Sequence, residues 1–275
     1  MTDETALRSE DEIVRALRAA GCVFAEDEAA LLIAAPGTPL DLDARVARRV
    51  SGEPLEVILG WAEFAGIRVA IDPGVFVPRQ RTKFLVRRAA RLARPGTIVV
   101  DLCCGSGALG VALAAAVPGI RLYAADIEPA AVACARRNLL GIGEVFEGDL
   151  YDALPAALRG QIDVLMVNAP YVPTGEIASM PPEAREHEPR VTLDGGDDGL
   201  DIHRRVAAGA AHWLAHRGTL LIETSVRQAD VAVELFADAG LLATVAHSNK
   251  RGATVVIGTN QWASPSWRSG VLPVR

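Results

Sequence analysis

The stretch "TIVVDLCCGSGALG", residues 97 to 110, decides the architecture. Ile98 to Leu102 is a short apolar run rich in β-branched residues, which reads as a buried strand. It breaks into glycines and then resumes at Ala108 as an apolar helix. Gly105, Gly107 and Gly110 stand in the order G-x-G-x-x-G between that strand and that helix. Such a turn lets the main chain approach a ligand closely and aims helix N–H groups at it.

Working outward, the same alternation continues to the end of the chain. Strand-like runs are "TIVVDLC", "RLYAADI", "EVFEGDL", "DVLMVNA", "TLLIETS", "LATVAHS" and "ATVVIGT". Helices are expected at Ala108–Val117, Pro129–Leu140, Gly199–His216 and Val226–Ala239. Alternation of this kind builds an α/β sandwich on a mostly parallel sheet. The last two strands are separated only by "NKRG", a hairpin-length loop, so they should be antiparallel. The expected fold is therefore a seven-stranded, mostly parallel Rossmann-like sheet with an antiparallel last hairpin, over residues 97–260.

Before Thr97 the pattern changes. "SEDEIVRALRAAG", "AEDEAALLIAAPG" and "DLDARVARRVSG" each read as a short helix with acids early and a glycine stop. Residues 1–56 thus form a small helical bundle with too little core to stand alone. Residues 57–96 connect it to the sheet. "VILGWAEFAGIRVAIDPG" shows β alternation on both sides of Ala65-Gly66, and a basic helix follows. The stretch Arg79, Arg81, Lys83, Arg87, Arg88, Arg91 and Arg94 contains no acid. It is either a solvated helix face or a docking surface for an anionic macromolecule. The tail, residues 261–275, lacks periodicity and is expected to be disordered.

Half of the 275 residues are hydrophobic, so a substantial core is expected, and the net charge is −6. That charge argues against a stable nucleic-acid complex through the whole surface. No apolar run reaches the ~18 residues of a membrane span, and the acidic N-terminus is unlike a secretory signal. A cytoplasmic protein is expected. Cys22, Cys103, Cys104 and Cys134 fit neither a metal site nor a disulfide framework. The five histidines show no metal-like spacing either, and no metal is expected.

Three acids end three successive strands: Asp101, Asp126 and Asp149. In an open α/β sheet that edge binds the ligand. Asp101, four residues before Gly105, would repel a pyrophosphate but welcome a cation, as the methionine portion of S-adenosylmethionine offers. Asp126 can accept two ribose hydroxyls. Asp149 could reach the exocyclic amine of an adenine, with Leu150 packing on the ring. Strand four then ends on Asn168-Ala169-Pro170-Tyr171. The carboxamide of Asn168 and the carbonyl of Ala169 are two acceptors, Pro170 fixes the turn, and Tyr171 supplies a flat face. That set suits a planar –NH2 group presented to an electrophilic methyl. An amide nitrogen is a poor nucleophile, so positioning and desolvation must supply most of the rate.

"DLCCGSGALG", "AADIEPAAVACARRNL", "GDLYDALP" and the long segment from Asn168 to Arg205 resemble the HemK family of protein N5-glutamine methyltransferases. "VSGEPLEVILGWAEFAGIRVAIDPGVFVPRQRT" is similar to that family's interdomain segment. The resemblance runs over residues 10 to 258. It implies S-adenosylmethionine as cofactor and, as partner, a class-1 peptide chain release factor methylated on the glutamine of its Gly-Gly-Gln motif. It implies cofactor contacts from Cys103, Cys104, Gly105, Ser106, Gly107, Asp126, Ile127, Leu150 and Asn168. Asn168 to Tyr171 would hold the glutamine, with Phe76, Pro78 and Arg79 on the substrate side, and the N-terminal helices would dock the release factor. The chain departs from the family pattern at Ala169, where Asn-Pro-Pro-Tyr has proline, and at Lys83, where an acid is frequent. Another substrate, an adenine or a small-molecule amine, stays open, as does a non-catalytic cofactor-binding module. The loop from Val172 to Gly199 is long for a compact domain and is expected to be a lid, with Gly195-Gly196 giving it a sharp turn.

Overall fold

The computed structural model describes residues 9–261, so the expectation for the tail at 262–275 lies outside the described residues. Four helices open the chain: α1 (Glu10–Ala19), α2 (Ala25–Ala34), α3 (Pro39–Val50) and α4 (Leu55–Leu59). Two begin on capping boxes, Ser9 with Glu12 and Thr38 with Asp41, in which each side chain satisfies the other's backbone N–H. Ile13, Leu17, Ala29, Leu32, Val46 and Ile58 close a core separate from that of the sheet.

The β alternation expected over Val57–Gly60 is helical instead. Ile58 is drawn into the bundle core, and Gly60 ends α4 in the left-handed region, with φ of 76°. The hairpin is shorter than expected, pairing β1 (Trp61–Phe64) with β2 (Ile67–Ala70). It turns at Ala65 and Gly66, φ 54° and 82°, the two-residue turn whose twist matches that of the strands. Helix α5 (Lys83–Ala90) follows.

The sheet holds β3 (Ile98–Leu102), β4 (Arg121–Asp126), β5 (Gly143–Glu147), β6 (Ile162–Val167), β7 (Leu214–Thr224), β8 (Leu241–Ser248) and β9 (Ala253–Asn260). Their spatial order is β5-β4-β3-β6-β7-β9-β8, parallel except for β9, which runs antiparallel to both neighbours. Helices α6 (Ala108–Ala116) and α7 (Pro129–Asn138) join α5 and the hairpin on one face. Helices α9 (Asp201–Trp213) and α10 (Ala229–Asp238) cover the other face. Between β6 and α9 lies one short helix, α8 (Pro182–His187).

Helix α9 stops three residues before the expected His216 because Leu214 joins β7, opposite Ile162. The main chain there shifts register and passes through Arg217 at φ 64°. The decisive feature is the position of β3. The chain builds outward from it to β5, then returns to lay β6 on its other side. Loops leaving β3 and β6 diverge at the carboxyl edge, and a crevice opens between them.

Candidate active site

One cleft of about 340 Å3 occupies that crevice. Its first wall is the loop after β3. Cys103, Gly105 and Gly107 all have positive φ, at 57°, 54° and 76°, so the loop curls tightly before α6. A Cβ on Gly107 would come within 3.1 Å of Leu139, whereas one on Gly105 would meet nothing within 4 Å. The first glycine of the loop therefore leaves an open cradle, and its partner permits close packing beneath it.

Asp126 ties this loop to β4. Its Oδ2 accepts the Gly105 N–H at 2.8 Å and its Oδ1 accepts the Glu128 N–H at 3.0 Å. Burial pushes its carboxyl above the usual range, against the pull of those hydrogen bonds. Each carboxylate oxygen keeps a second lone pair, so the group still accepts two hydroxyls. Ile127 lines the cleft 51 % exposed, and Leu150 lines it from a left-handed position at φ 49°. An exposed apolar side chain and a strained one beside an open glycine cradle fit a nucleoside with a flat ring. Cys103, Cys104 and Ser106 line the same wall. The cysteines are free thiols, and burial pushes both thiols up.

Two of the three strand-end acids lie differently from a simple ligand-facing row. Asp101 is 1 % exposed and sits behind the loop, not in the cleft wall. Its Oδ2 accepts the Gly110 N–H at 3.0 Å, its Oδ1 has no partner, and burial pushes its carboxyl up to about 8. Direct contact with a bound ammonium, expected from the sequence, is not its geometry here. It anchors α6 under the loop. Asp149 lines the cleft, but its Oδ2 is held by Arg205 at 2.6 Å.

The opposite wall is the end of β6. Asn168, Ala169, Pro170 and Tyr171 all line the cleft, facing the glycine loop across it. The Asn168 carboxamide makes no hydrogen bond among the described residues, so its acceptor is available. Tyr171 is more than a flat face. Its hydroxyl donates to Glu223 Oε1 at 3.1 Å and accepts from Arg81 Nη2 at 2.7 Å. Its backbone carbonyl accepts from Gln228 Nε2 at 2.9 Å. Phe76, Pro78 and Arg79 complete this side, the Arg79 guanidinium lying 4.9 Å from the Phe76 ring centre and 2.5 Å from buried Glu188.

The expected lid is an ordered strap. Val172 bridges to Asp194, and Thr174 and Arg190 both bond the Asp194 carboxylate, which they hold below its usual range. Gly196 gives the sharp turn, at φ 89°. Met180, Val191, Thr192 and Leu193 face the cleft from the strap. At its middle Glu183 reaches the bundle through Arg49, 3.2 Å away, which also binds Glu28.

Arg81, Glu223, Arg205 and His203 carry no site role that the sequence pattern alone points to. The run from Arg79 to Arg94 looked like one basic face, yet its first two arginines turn inward onto carboxylates. His203 is fully buried, its Nε2 donating to the Glu223 carbonyl at 3.1 Å, and burial lowers it to about 4, so the ring is neutral. No helix among the described residues is long and apolar enough to cross a membrane.

Residues 66–180 match the family model for the methyltransferase small domain. The release factor glutamine methyltransferase of Geobacter sulfurreducens is 36% identical over 216 residues, covering 78% of this chain and 75% of that one. The 4-amino-L-phenylalanine/4-methylamino-L-phenylalanine methyltransferase of Streptomyces pristinaespiralis is 38% identical over 234 residues, 82% of this chain and 79% of its own. A crystal structure of a methyltransferase from Pyrococcus furiosus shares the fold, with a TM-score of 0.53 over 79% of this chain and 96% of that one, at 13% identity.

Proposed function

The chain belongs to the release factor glutamine methyltransferase family, and on that premise we propose that it methylates the glutamine of the Gly-Gly-Gln motif in a class-1 peptide chain release factor. Its methyl donor is S-adenosylmethionine, which when bound supplies an electrophilic methyl on a sulfonium. The Gly105 cradle, Asp126, Ile127 and Leu150 are the residues that would hold it.

One observation carries the reading of the acceptor. A carboxamide with no hydrogen bond among the described residues, Asn168, follows the central strand across the cleft from that cradle. Asn168 and the Ala169 carbonyl take the two N–H hydrogens of the acceptor amide. Its nitrogen lone pair is then free to face the methyl, and Tyr171 supports the amide plane. Positioning of this kind is worth several orders of magnitude in rate. The strap residues Met180, Val191 and Leu193 exclude water, which strengthens the polar contacts beneath them. A proton leaves the product after transfer, so no base is needed beforehand. Substrate choice belongs to the bundle of α1–α4, whose Val23, Phe24 and Leu40 are strongly exposed apolar residues. A release factor as acceptor also places the protein in the cytoplasm.

A second reading is favoured by Ala169, a smaller residue than the family's proline, buried in the acceptor wall at 2 % exposure. It takes a small aromatic amine in place of the protein amide, as the name of the Streptomyces pristinaespiralis relative states for that enzyme. The two are separated by competition: labelled S-adenosylmethionine is supplied with intact release factor and an excess of 4-amino-phenylalanine. Label is expected in the release factor. Label in the amine alone would establish the second reading.

A further inference from the structure

Glu223 lies in β7 at the position after Ile222, which pairs with Val167, so it stands beside Asn168 at the sheet's carboxyl edge. It is 1 % exposed and lines the cleft. Its Oε1 accepts from two groups that are themselves bonded: Arg81 Nε at 3.2 Å and the Tyr171 hydroxyl at 3.1 Å. Arg81 Nη2 closes the triangle on the Tyr171 hydroxyl at 2.7 Å. His203 braces it twice, bonding the Glu223 carbonyl and presenting its ring edge to Tyr171 at 6.5 Å between centroids. The other oxygen, Oε2, is buried with no donor among the described residues. A buried carboxylate left half-satisfied is destabilising, which marks a group kept for what it does.

We propose that Glu223 and Arg81 are positioning residues for Tyr171, holding the plane of its ring against the acceptor group through a closed triangle of hydrogen bonds. The proposal rests on the acceptor site assigned above. A methyl-accepting nitrogen must be held along one line of attack, and a ring free to rotate about its side-chain bonds would blur that line. Gln228 fixes the Tyr171 backbone but leaves the ring direction unset. The triangle sets it, joining three segments distant in sequence: the turn before α5, the end of β6 and the end of β7. The charges of Arg81 and Glu223 offset one another, so the triangle adds direction with no net charge beside the acceptor.

The test combines two readouts on the full chain with Arg81→Gln, Glu223→Gln, Tyr171→Phe and the Arg81→Gln/Tyr171→Phe double variant. The first needs no acceptor: the ring-carbon NMR signal of tyrosine labelled at Cζ, with Tyr171 assigned by its loss in Tyr171→Phe. Arg81→Gln and Glu223→Gln are expected to shift that signal and leave those of Tyr123 and Tyr151 in place. The second is kcat and KM for release factor at saturating cofactor. Each single variant is expected to lower kcat by roughly 10–100-fold with cofactor affinity retained. The double variant should fall little below Tyr171→Phe alone, because both changes remove one device. An unmoved Tyr171 signal, or fully additive losses, would overturn the proposal. If the signal moves but wild type never methylates release factor, the substrate assignment fails and the positioning triangle stands.

Discussion

Asp101 and Asn168 show how differently two polar residues at strand ends can serve one cleft. Asp101 is buried under the glycine loop with one oxygen unpaired, so its charge is a burden on the fold. Its carboxyl titrates at 3.8 when exposed and at about 8 in the folded protein. The folded state therefore binds the proton more tightly, and the stability this group contributes is full below 3.8 and lost as pH rises through about 8. Asp101→Asn keeps an acceptor for the Gly110 N–H and removes that loss. Without cofactor it should be more stable than wild type at pH 8 by more than about 1 kcal/mol, with the gap closing near pH 4. Denaturant unfolding at the two pH values checks this, and a variant less stable at both would mean the charge is compensated. Asp126, Asn168 and Tyr171 were legible in the sequence because each sits at the end of an apolar run, where the strand itself announces the edge. Glu223 also ends a strand, but its role depends on Arg81, 142 residues earlier, and no local pattern joins the two. Asp101 was legible as an acid beside the loop, while its direction, behind the loop, is a matter of packing.

At the scale of elements, the strap between β6 and α9 carries the clearest consequence. Gly199 ends it at φ 78°, and a Cβ there would lie 2.4 Å from both the Tyr171 carbonyl and Gln228 Nε2. The strap's return and the Tyr171 backbone are thus one packed unit. Gly199→Ala adds left-handed strain to a steric clash and should cost about 1–3 kcal/mol. Transfer should fall with it, because Tyr171 is displaced. Thermal unfolding and turnover measured together decide the matter. Wild-type turnover in a destabilised protein would show that strap and acceptor wall move independently. The strap's length identified it in the sequence, but its internal order comes from Asp194 and the Arg49–Glu183 contact, which periodicity cannot show. The same applies to α4, where local alternation favoured a strand and Ile58's burial in the bundle decided for helix. The seven strands and the antiparallel hairpin were legible because both rest on local apolar runs and loop length.

At the scale of the whole molecule, a catalytic sheet is joined to a bundle whose exposed apolar residues lie outside the cleft. Phe24 is 67 % exposed on that bundle. If the bundle docks the protein substrate, Phe24→Asp should raise KM for intact release factor about tenfold, the scale of one lost apolar contact, and leave KM for a short glutamine peptide unchanged. Equal effects on both acceptors would remove the docking role. Methyl transfer to a protein glutamine held by Asn168 is the step on which the proposed function stands. It is tested most directly by single-turnover transfer to intact release factor at saturating cofactor, with the product mapped by fragment mass spectrometry, for wild type and Asn168→Ala. One added methyl group is expected on the glutamine of Gly-Gly-Gln, with a rate about 10²–10³ lower in Asn168→Ala at unchanged cofactor affinity. A methyl on any other residue, or an Asn168→Ala rate equal to wild type, would contradict it.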